Sequence, residues 1–336
     1  MATIKDVARE AQVSTATVSA TLNNSAYVSP DLRVRVLAAV DRLDYAPSAV
    51  AQSLKKGRTG LLALVVADVT NPFFTSLINA VETAADARGY SLMLCNSDER
   101  LDLERQYLRR IRARRCDGLI LAPCGEPAAY QSYDAITLPA PTVLIDRVVE
   151  SWPTDSVSLD NVSAALQATN YILDLGHRRI GAITGPRHVS TGADRHAGFM
   201  QAMTSRGLTP DPQHIRSGDY REDRAFSVAR EILRQPGRPS AFFVANNLML
   251  IGLMRAIAEA GLNCPADVSV VSMDDFIWVN AFRPRLTTVS QPMAEMGAEA
   301  VRLLSDRLSG ATEDPPHRVV MQPTLNVRDS CAPYRG

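Results

Sequence analysis

A chain of 336 residues, 46% hydrophobic and 21% charged, is longer than one typical domain needs and holds enough apolar side chain for a large packed core, which excludes a disordered chain. Its 36 basic residues balance 36 acidic ones, so a uniformly basic nucleic-acid coat is excluded while a local basic patch is not. Five scattered cysteines, Cys95, Cys116, Cys124, Cys264 and Cys331, are odd in number and contain no CxxC pair, which argues against a disulfide framework or zinc site and for a reducing, cytoplasmic setting.

Residues 1–60 carry eight basic and five acidic side chains, a balance of 8 − 5 = +3 that leaves −3 for the remainder. The opening MATIKDVARE lacks the apolar core of a signal peptide. Thr3-Ile4-Lys5-Asp6 has the form of a capping box, and Ile4, Val7, Ala8 and Ala11 follow at helical spacing. Gln12-Val13-Ser14 reads as a break, with Ser14 capping a second helix over Thr15–Asn23 whose Val18, Thr21 and Leu22 share one face. Ser29-Pro30 starts a third: serine as the cap, proline at the first helical position. Tyr45-Ala46-Pro47 ends this unit, and residues 48–56 are too few to hold a helix alone in water.

From Leu61 the pattern changes. Leu61–Asp68, Ser91–Asn96, Gly118–Ala122 and Thr142–Asp146 read as strands, with helices such as Phe73–Arg88 and Leu101–Arg115 between them. Arg179–Gly185, Ala241–Ala245 and Val268–Met273 form a second series, separated by helices such as Asn161–Leu175 and Leu248–Ala260. Alternating elements predict parallel sheets with helices on both faces, and two series predict two lobes with a cleft at the strands' carboxyl ends. No short repeat is visible. The run Leu61–Ala67 falls far short of the about 20 residues a membrane helix needs, so no membrane partner is expected.

Helix, tight break, helix is the layout of a helix-turn-helix, whose second helix enters the major groove. On Thr15–Asn23, the small or hydroxylated Thr15, Ala16, Ser19 and Ala20 lie roughly opposite Val18 and Leu22 and suit base edges, while Thr17 and Asn23 suit phosphates. Periodicity alone leaves an ordinary three-helix surface patch open.

Longer motifs narrow the choice. Thr3-Ile4-Lys5-Asp6-Val7-Ala8-Arg9-Glu10-Ala11, Val13-Ser14, Ala16-Thr17-Val18-Ser19 and the run Leu43 to Leu54 closely resemble the LacI/GalR family of transcriptional regulators (lactose/galactose/purine-repressor-like), and the resemblance extends over essentially the whole chain. It implies an all-α helix-turn-helix domain at 1–47, a hinge helix or linker at 48–58, and a periplasmic-binding-protein-like α/β domain at 59–330. Lobe one is expected at about 59–160 and 293–320, lobe two at about 161–290 and 321–330. The resemblance implies that Thr15, Ala16 and Ala20 choose operator bases and that Leu54, with Lys55 beside it, wedges into the minor groove; Tyr45 joins the DNA-binding candidates. Val50 and Leu54 at i, i+4 suit such wedging, which kinks the duplex.

For the effector, the resemblance points to Phe73 and Phe74 after the first strand, Asp146 and Arg147 after the fourth, Thr191 and Arg195 on a later helix, and Tyr220, Asn246, Asp274 and Gln291. These side chains suit a polyhydroxyl ligand: carboxylates accept, amides do both, guanidinium groups donate. Arg147 and Arg195 together leave a sugar acid or sugar phosphate open beside a neutral sugar or nucleoside. Three departures stand out: Ala20 where the family usually has a large polar or basic residue, Asn247 where an acidic one is usual, and Val189 where the purine-responsive branch is basic, which disfavours a purine. Trp278 is expected either at the cleft's border or in the core.

The implied protein is a homodimer on a palindromic double-stranded operator, with a small-molecule effector and no cofactor. The competing reading is a solute-binding sensor without operator activity. No GxSxG, HExxH or GxxxxGK[ST] occurs, and the five histidines lack metal-ligand spacing, so an enzyme is not expected.

Overall fold

The computed structural model describes residues 2–46, 57–126, 128, 130, 138, 140–312 and 314–335. The chain divides into two compact units, Met1–Gly60 and Leu61–Gly336.

The first unit contains helices α1 (Ile4–Glu10), α2 (Thr15–Asn23) and α3 (Pro30–Arg42). The Thr3 hydroxyl accepts from the Asp6 amide at 3.3 Å while the Asp6 carboxylate accepts from the Thr3 amide at 2.9 Å, closing the capping box. Gln12, at φ 52°, makes the left-handed turn after α1. Ser14 Oγ then accepts from the Thr17 amide at 3.0 Å. Ser29 departs from expectation: its side chain makes no capping hydrogen bond, and Pro30 alone, lacking an amide to satisfy, marks the start of α3. Val7, Ala8, Ala11, Val18, Val36 and Ala39 form the core, with Ile4, Leu22 and Tyr45 packed around it. So small a core is braced by polar contacts: Arg35 donates to the Ala11 carbonyl at 2.6 Å, and Arg42 pairs with Glu10 at 2.6 Å.

The second unit holds two six-stranded sheets. The first comprises β1 (Leu61–Val66), β2 (Ser91–Asn96), β3 (Gly118–Leu121), β4 (Thr142–Asp146), β5 (Asp155–Leu159) and β11 (Arg318–Met321), in the order β11-β5-β4-β3-β1-β2. The second comprises β6 (Ile180–Thr184), β7 (Ile215–Ser217), β8 (Ala241–Val244), β9 (Ser269–Met273), β10 (Thr287–Ser290) and β12 (Thr324–Asn326), in the order β12-β10-β9-β8-β6-β7. The two orders correspond strand for strand, so the lobes are structural repeats that left no repeat in the sequence. All pairings are parallel except β10 with β12. The chain changes lobe after β5, after β10 and after β11.

Helices α4 (Pro72–Asp86), α5 (Leu101–Arg114) and α10 (Met293–Ser309) belong with the first sheet; α6 (Asn161–Asp174), α7 (Ser190–Ser205), α8 (Glu222–Leu233) and α9 (Asn247–Glu259) belong with the second. Strand alternation sorts the core. Leu62, Leu64 and Val66 pack with Leu77, Met296 and Leu304 of α4 and α10; Ala63 and Val65 pack with Leu108 and Ile111 of α5. Three helix pairs approach closely, at Gly297, Gly198 and Gly252. A Cβ on Gly297 would fall 2.6 Å from the Ala80 Cβ, and one on Gly198 2.2 Å from the Val162 carbonyl oxygen.

β5 lay outside the predicted strands because its sequence, Asp155-Ser-Val-Ser-Leu, is half polar. It is nonetheless buried. Arg307 of α10 clamps the Asp155 carboxylate with two bonds of 2.8 Å, and the His317 amide adds a third at 2.7 Å.

Candidate functional site

The outward side of α2 is built by elimination: Val18 and Thr21 are buried, and what remains is small. Thr15, Ala16 and Asn23 are exposed; Thr17, Ser19 and Ala20 are half-buried. The Thr17 hydroxyl is bonded to Ser14 Oγ at 2.9 Å, and Asn23 Nδ2 donates to the Ser19 carbonyl at 2.9 Å. Thr15 and Ala16 are therefore the least encumbered of the set. Tyr45 is half-buried against the unit's core. Leu54 and Lys55 lie outside the described residues.

In the second unit, the carboxyl ends of both sheets meet at a cleft lined by Asp68, Asn71, Phe73, Phe74, Glu99, Asp146, Arg147, Thr191, Arg195, Tyr220, Asn246, Asp274 and Gln291. All ten residues named for the effector lie on this lining. Asp68, Asn71 and Glu99 were not among them, and nor was Asn161 behind the wall. The signal available for Asp68 and Glu99 was position: Asp68 ends one predicted strand and Glu99 closely follows another.

Backbone geometry aims these side chains. β4 and β9 are equivalent strands, and an aspartate in the left-handed region closes the first and directly follows the second, Asp146 at φ 67° and Asp274 at φ 69°. The equivalent edge strands β2 and β7 are each followed by two left-handed residues, Asp98-Glu99 at 51° and 56° and Asp219-Tyr220 at 51° and 57°. Four non-glycine pairs or singles in this sparsely populated region, all at strand ends facing one cleft, are the kind of local strain that functional sites carry. At the start of α4, Asn71 Oδ1 accepts from the Phe73 amide at 2.9 Å, which fixes Phe73 and Phe74 edge to face with centroids 5.0 Å apart.

The charged groups are strongly coupled. Arg147 donates two bonds to Glu99, of 2.7 and 2.6 Å, and one of 3.3 Å to the Pro123 carbonyl. Its Nε has no hydrogen-bond partner and lies 3.6 Å from Asp146 Oδ2. Its face covers the Tyr220 ring at 5.6 Å, and the Tyr220 hydroxyl donates to Thr191 at 3.0 Å. Arg195 is pinned by Asn161 Oδ1 at 2.8 Å and the Ala245 carbonyl at 2.7 Å. Burial favours the neutral acid at Glu99, but the charge and hydrogen bonds of Arg147 outweigh it and hold the carboxyl below its ordinary range. At Asp146 burial wins over Arg147 and Arg195 and raises the pKa to about 6. Burial also raises Asp274, opposed by Arg195 and by the bond it accepts from Gln291 at 2.7 Å.

Val148 donates its amide to Ser190 Oγ at 3.0 Å, and Arg221 pairs with Asp98 at 3.0 Å, so both sides of the cleft are tied across the lobes. Trp278 does not border the cleft and is not a core residue; it is about half exposed, edge to face with Phe276. Asn247 is buried with neither end of its amide bonded. Among the described residues no group of three or more His, Cys, Asp or Glu is placed to hold a metal ion, and no helix is long and apolar enough to cross a membrane.

Known proteins share this architecture. Residues 3–48 match the profile of bacterial regulatory proteins of the lacI family, and residues 169–331 match a periplasmic binding protein-like domain. The HTH-type transcriptional repressor PurR of Pectobacterium carotovorum is 36% identical over 341 residues, covering 99% of this chain and 98% of that protein. PurR of Photobacterium profundum is 37% identical, covering 98% of each. The lac repressor dimer bound to operator and the anti-inducer ONPF superposes with a TM-score of 0.88 at 27% identity, covering 98% of this chain and 99% of that one. The transcriptional regulator CelR in complex with cellobiose superposes at 0.73 with 30% identity, covering 98% of this chain and all of that one. With its helix-turn-helix unit, two-lobed α/β unit and full-length relatives, the chain belongs to the LacI/GalR family of DNA-binding transcriptional regulators.

Proposed function

We propose that the chain represses transcription by binding a palindromic operator as a homodimer, and that a polyhydroxylated small molecule in the cleft controls that binding. The observation that carries the effector half is convergence. Ten side chains drawn from residue 73 to residue 291 line one cavity, and they offer aromatic faces, carboxylates and amides together. Val189, buried and off the cleft lining, supplies none of the basic character of the family's purine-responsive branch, so a sugar or sugar derivative is favoured over a purine.

Thr15, Ala16, Ser19 and Ala20 would face base edges, with Thr17 and Asn23 on phosphates and Tyr45 among the DNA-binding residues. One short recognition helix contacts few base pairs, and two-fold pairing supplies the missing affinity and specificity. Coupling would run through residues 48–58, most of which lie outside the described residues: the effector resets the spacing of the two linkers, and Leu54 and Lys55 engage the minor groove only at the right spacing. Such coupling is reciprocal and typically about 1–3 kcal/mol.

Selection of the full-length protein against random duplexes, with and without sugars and nucleosides, tests this reading. A palindromic consensus whose affinity shifts with one of these compounds is expected; no preference for any palindrome under any condition would sink it. Ala20→Arg should change the preferred half-site, because a guanidinium donates bidentately to guanine where a methyl cannot, a discrimination of about 1–3 kcal/mol per base pair. An unchanged consensus contradicts the role given to position 20.

A further inference from the structure

Thirteen residues line the cleft, and six of them are charged: the carboxyls of Asp68, Glu99, Asp146 and Asp274 and the guanidinium groups of Arg147 and Arg195. Two arginines in a pocket ordinarily invite a carboxylate or phosphate. Here that invitation is already answered at Arg147 and in part at Arg195. Arg147 is almost fully buried, and the fork of its two terminal nitrogens is closed on the Glu99 carboxylate at 2.6 and 2.7 Å. Arg195 spends Nε and one terminal nitrogen on Asn161 and Ala245.

The unused polar atoms have a different character. Arg147 Nε, a donor, has no partner, and 3.6 Å away stands Asp146 Oδ2. Asp146 is 5% exposed, and neither of its oxygens accepts a hydrogen bond from another described residue. Gln291 Oε1, an acceptor on the same lining, is also unpartnered. A donor beside an acceptor fits a group that does both, which is a hydroxyl. A carboxylate or phosphate offers only acceptors to Asp146 and Gln291 Oε1, and buried acceptors facing acceptors are costly.

We propose that Glu99 is a specificity-determining residue of the cleft: by saturating the Arg147 guanidinium it withdraws one of the two cations an acidic ligand could use, leaving Arg195 alone among four carboxyls, and so biases the site toward uncharged, hydroxyl-bearing ligands. This deepens the effector reading above and rests on it for its biological meaning. The site chemistry itself is testable without knowing the effector. The left-handed backbone at Asp98 and Glu99 delivers the carboxylate from the loop after β2, a strand that contributes no other residue to the cleft lining, so one substitution removes it and leaves the named ligand-facing residues in place.

The test is chemical rescue in the full chain. Glu99→Ala leaves an empty slot in front of the Arg147 fork, and acetate has the shape and charge to refill it. Acetate compared with chloride at matched ionic strength is expected to raise the Tm of Glu99→Ala by about 5 °C at a hundredfold excess over its dissociation constant. The wild type is expected not to respond. Galacturonate against galactose extends the comparison: the variant gains affinity for the acid that the wild type lacks. Equal acetate responses in the two proteins, no response in the variant, or a wild type stabilised more by galacturonate than by galactose each overturn the proposal. Should Glu99→Ala not fold even in acetate, Glu99→Asp draws the carboxylate back by one methylene and should show a weaker form of the same ranking; a Glu99→Asp protein as blind to galacturonate as the wild type overturns it too. Rescue by acetate with no neutral sugar or nucleoside altering operator binding would leave the role of Glu99 standing and defeat the effector reading instead.

Discussion

Asp146 and Asp274 occupy equivalent places in the two lobes. Each stands at the carboxyl end of the strand at the same place in its sheet order, each has a left-handed backbone, at 67° and 69°, and each is buried. Their surroundings diverge. Asp274 accepts from the Gln291 side chain at 2.7 Å and, weakly, from the Asn247 main-chain N–H at 3.4 Å. Asp146 accepts from nothing in the described chain and has an arginine fork beside it that is turned toward Glu99. The same backbone device thus yields a carboxylate already satisfied by the fold and one left for a ligand to satisfy. The contrast teaches that an empty site is recognised by which polar atoms lack partners, since both aspartates look alike by position and burial.

The largest effect is expected where the contrast collapses. Arg195 is the one cation whose charge acts against the burial of both aspartates. Arg195→Met would leave Asn161 Oδ1 and the Ala245 carbonyl without their donor and both carboxylates short of a counter-charge. Breaking a buried arrangement of this kind costs about 3–5 kcal/mol. The loss, read from denaturant midpoints, should be larger at pH 7.5 than at pH 5, where Asp146 takes up a proton. A loss below about 1 kcal/mol would mean that the two aspartates do not share this cation.

Asp146→Asn separates the pair next. The folded pKa of about 6 stands above the ordinary 3.8, so between those values the native state binds more protons than the unfolded chain, and stability falls as pH rises. Below about pH 4 the penalty is absent; above about pH 6 it is complete, at 1.36 kcal/mol per pKa unit, or about 3 kcal/mol in total. The asparagine variant should therefore be more stable than the wild type at pH 7 and indistinguishable from it at pH 3.5. Glu99 and Asp155, whose carboxyls are held low, oppose this trend in both proteins, so the difference between the two curves isolates Asp146. A wild type at least as stable as the variant at pH 7 would remove the claim that this carboxylate awaits a donor.

How much of this was legible in the sequence follows the same line. Continuous apolar runs gave the central strands β1, β3, β4, β6, β8 and β9, because burial on both faces demands such runs. Strands β5, β7, β10, β11 and β12 were not among the predicted ones; in β5 and β7, Asp155 and Arg216 look like loop residues until Arg307 and Glu231 are brought to them by other elements. Thr3 and Ser14 were readable as caps because their partners sit three residues on; Ser29 has the same local pattern and makes no capping bond. In the cleft, strand-end positions and family motifs pointed to ten lining residues. Glu99 was passed over because its importance is a relation to Arg147, 48 residues away, and no local pattern encodes it. Trp278 shows the converse: an aromatic in a family-like block that the fold leaves about half exposed beside Phe276.

The finest test lies at Asp274. Replacing it with asparagine also removes a buried charge whose pKa is raised by burial, which by itself would stabilise. The gain is offset here, because Asp274 accepts two hydrogen bonds and an amide keeps only one acceptor atom. Its NH2 would have to face either the Gln291 donor or the Asn247 main-chain N–H. Leaving one such buried donor unmatched costs about 1–3 kcal/mol, and turning the Gln291 amide over to recover the bond would bring Oε1 into the place of Nε2. Asp274→Asn is therefore expected to change stability at pH 7 by no more than about 1 kcal/mol in either direction, well short of the gain at Asp146. Equal gains at the two positions would show that the hydrogen bonds at Asp274 contribute nothing, and the difference between the satisfied and the waiting carboxylate would disappear.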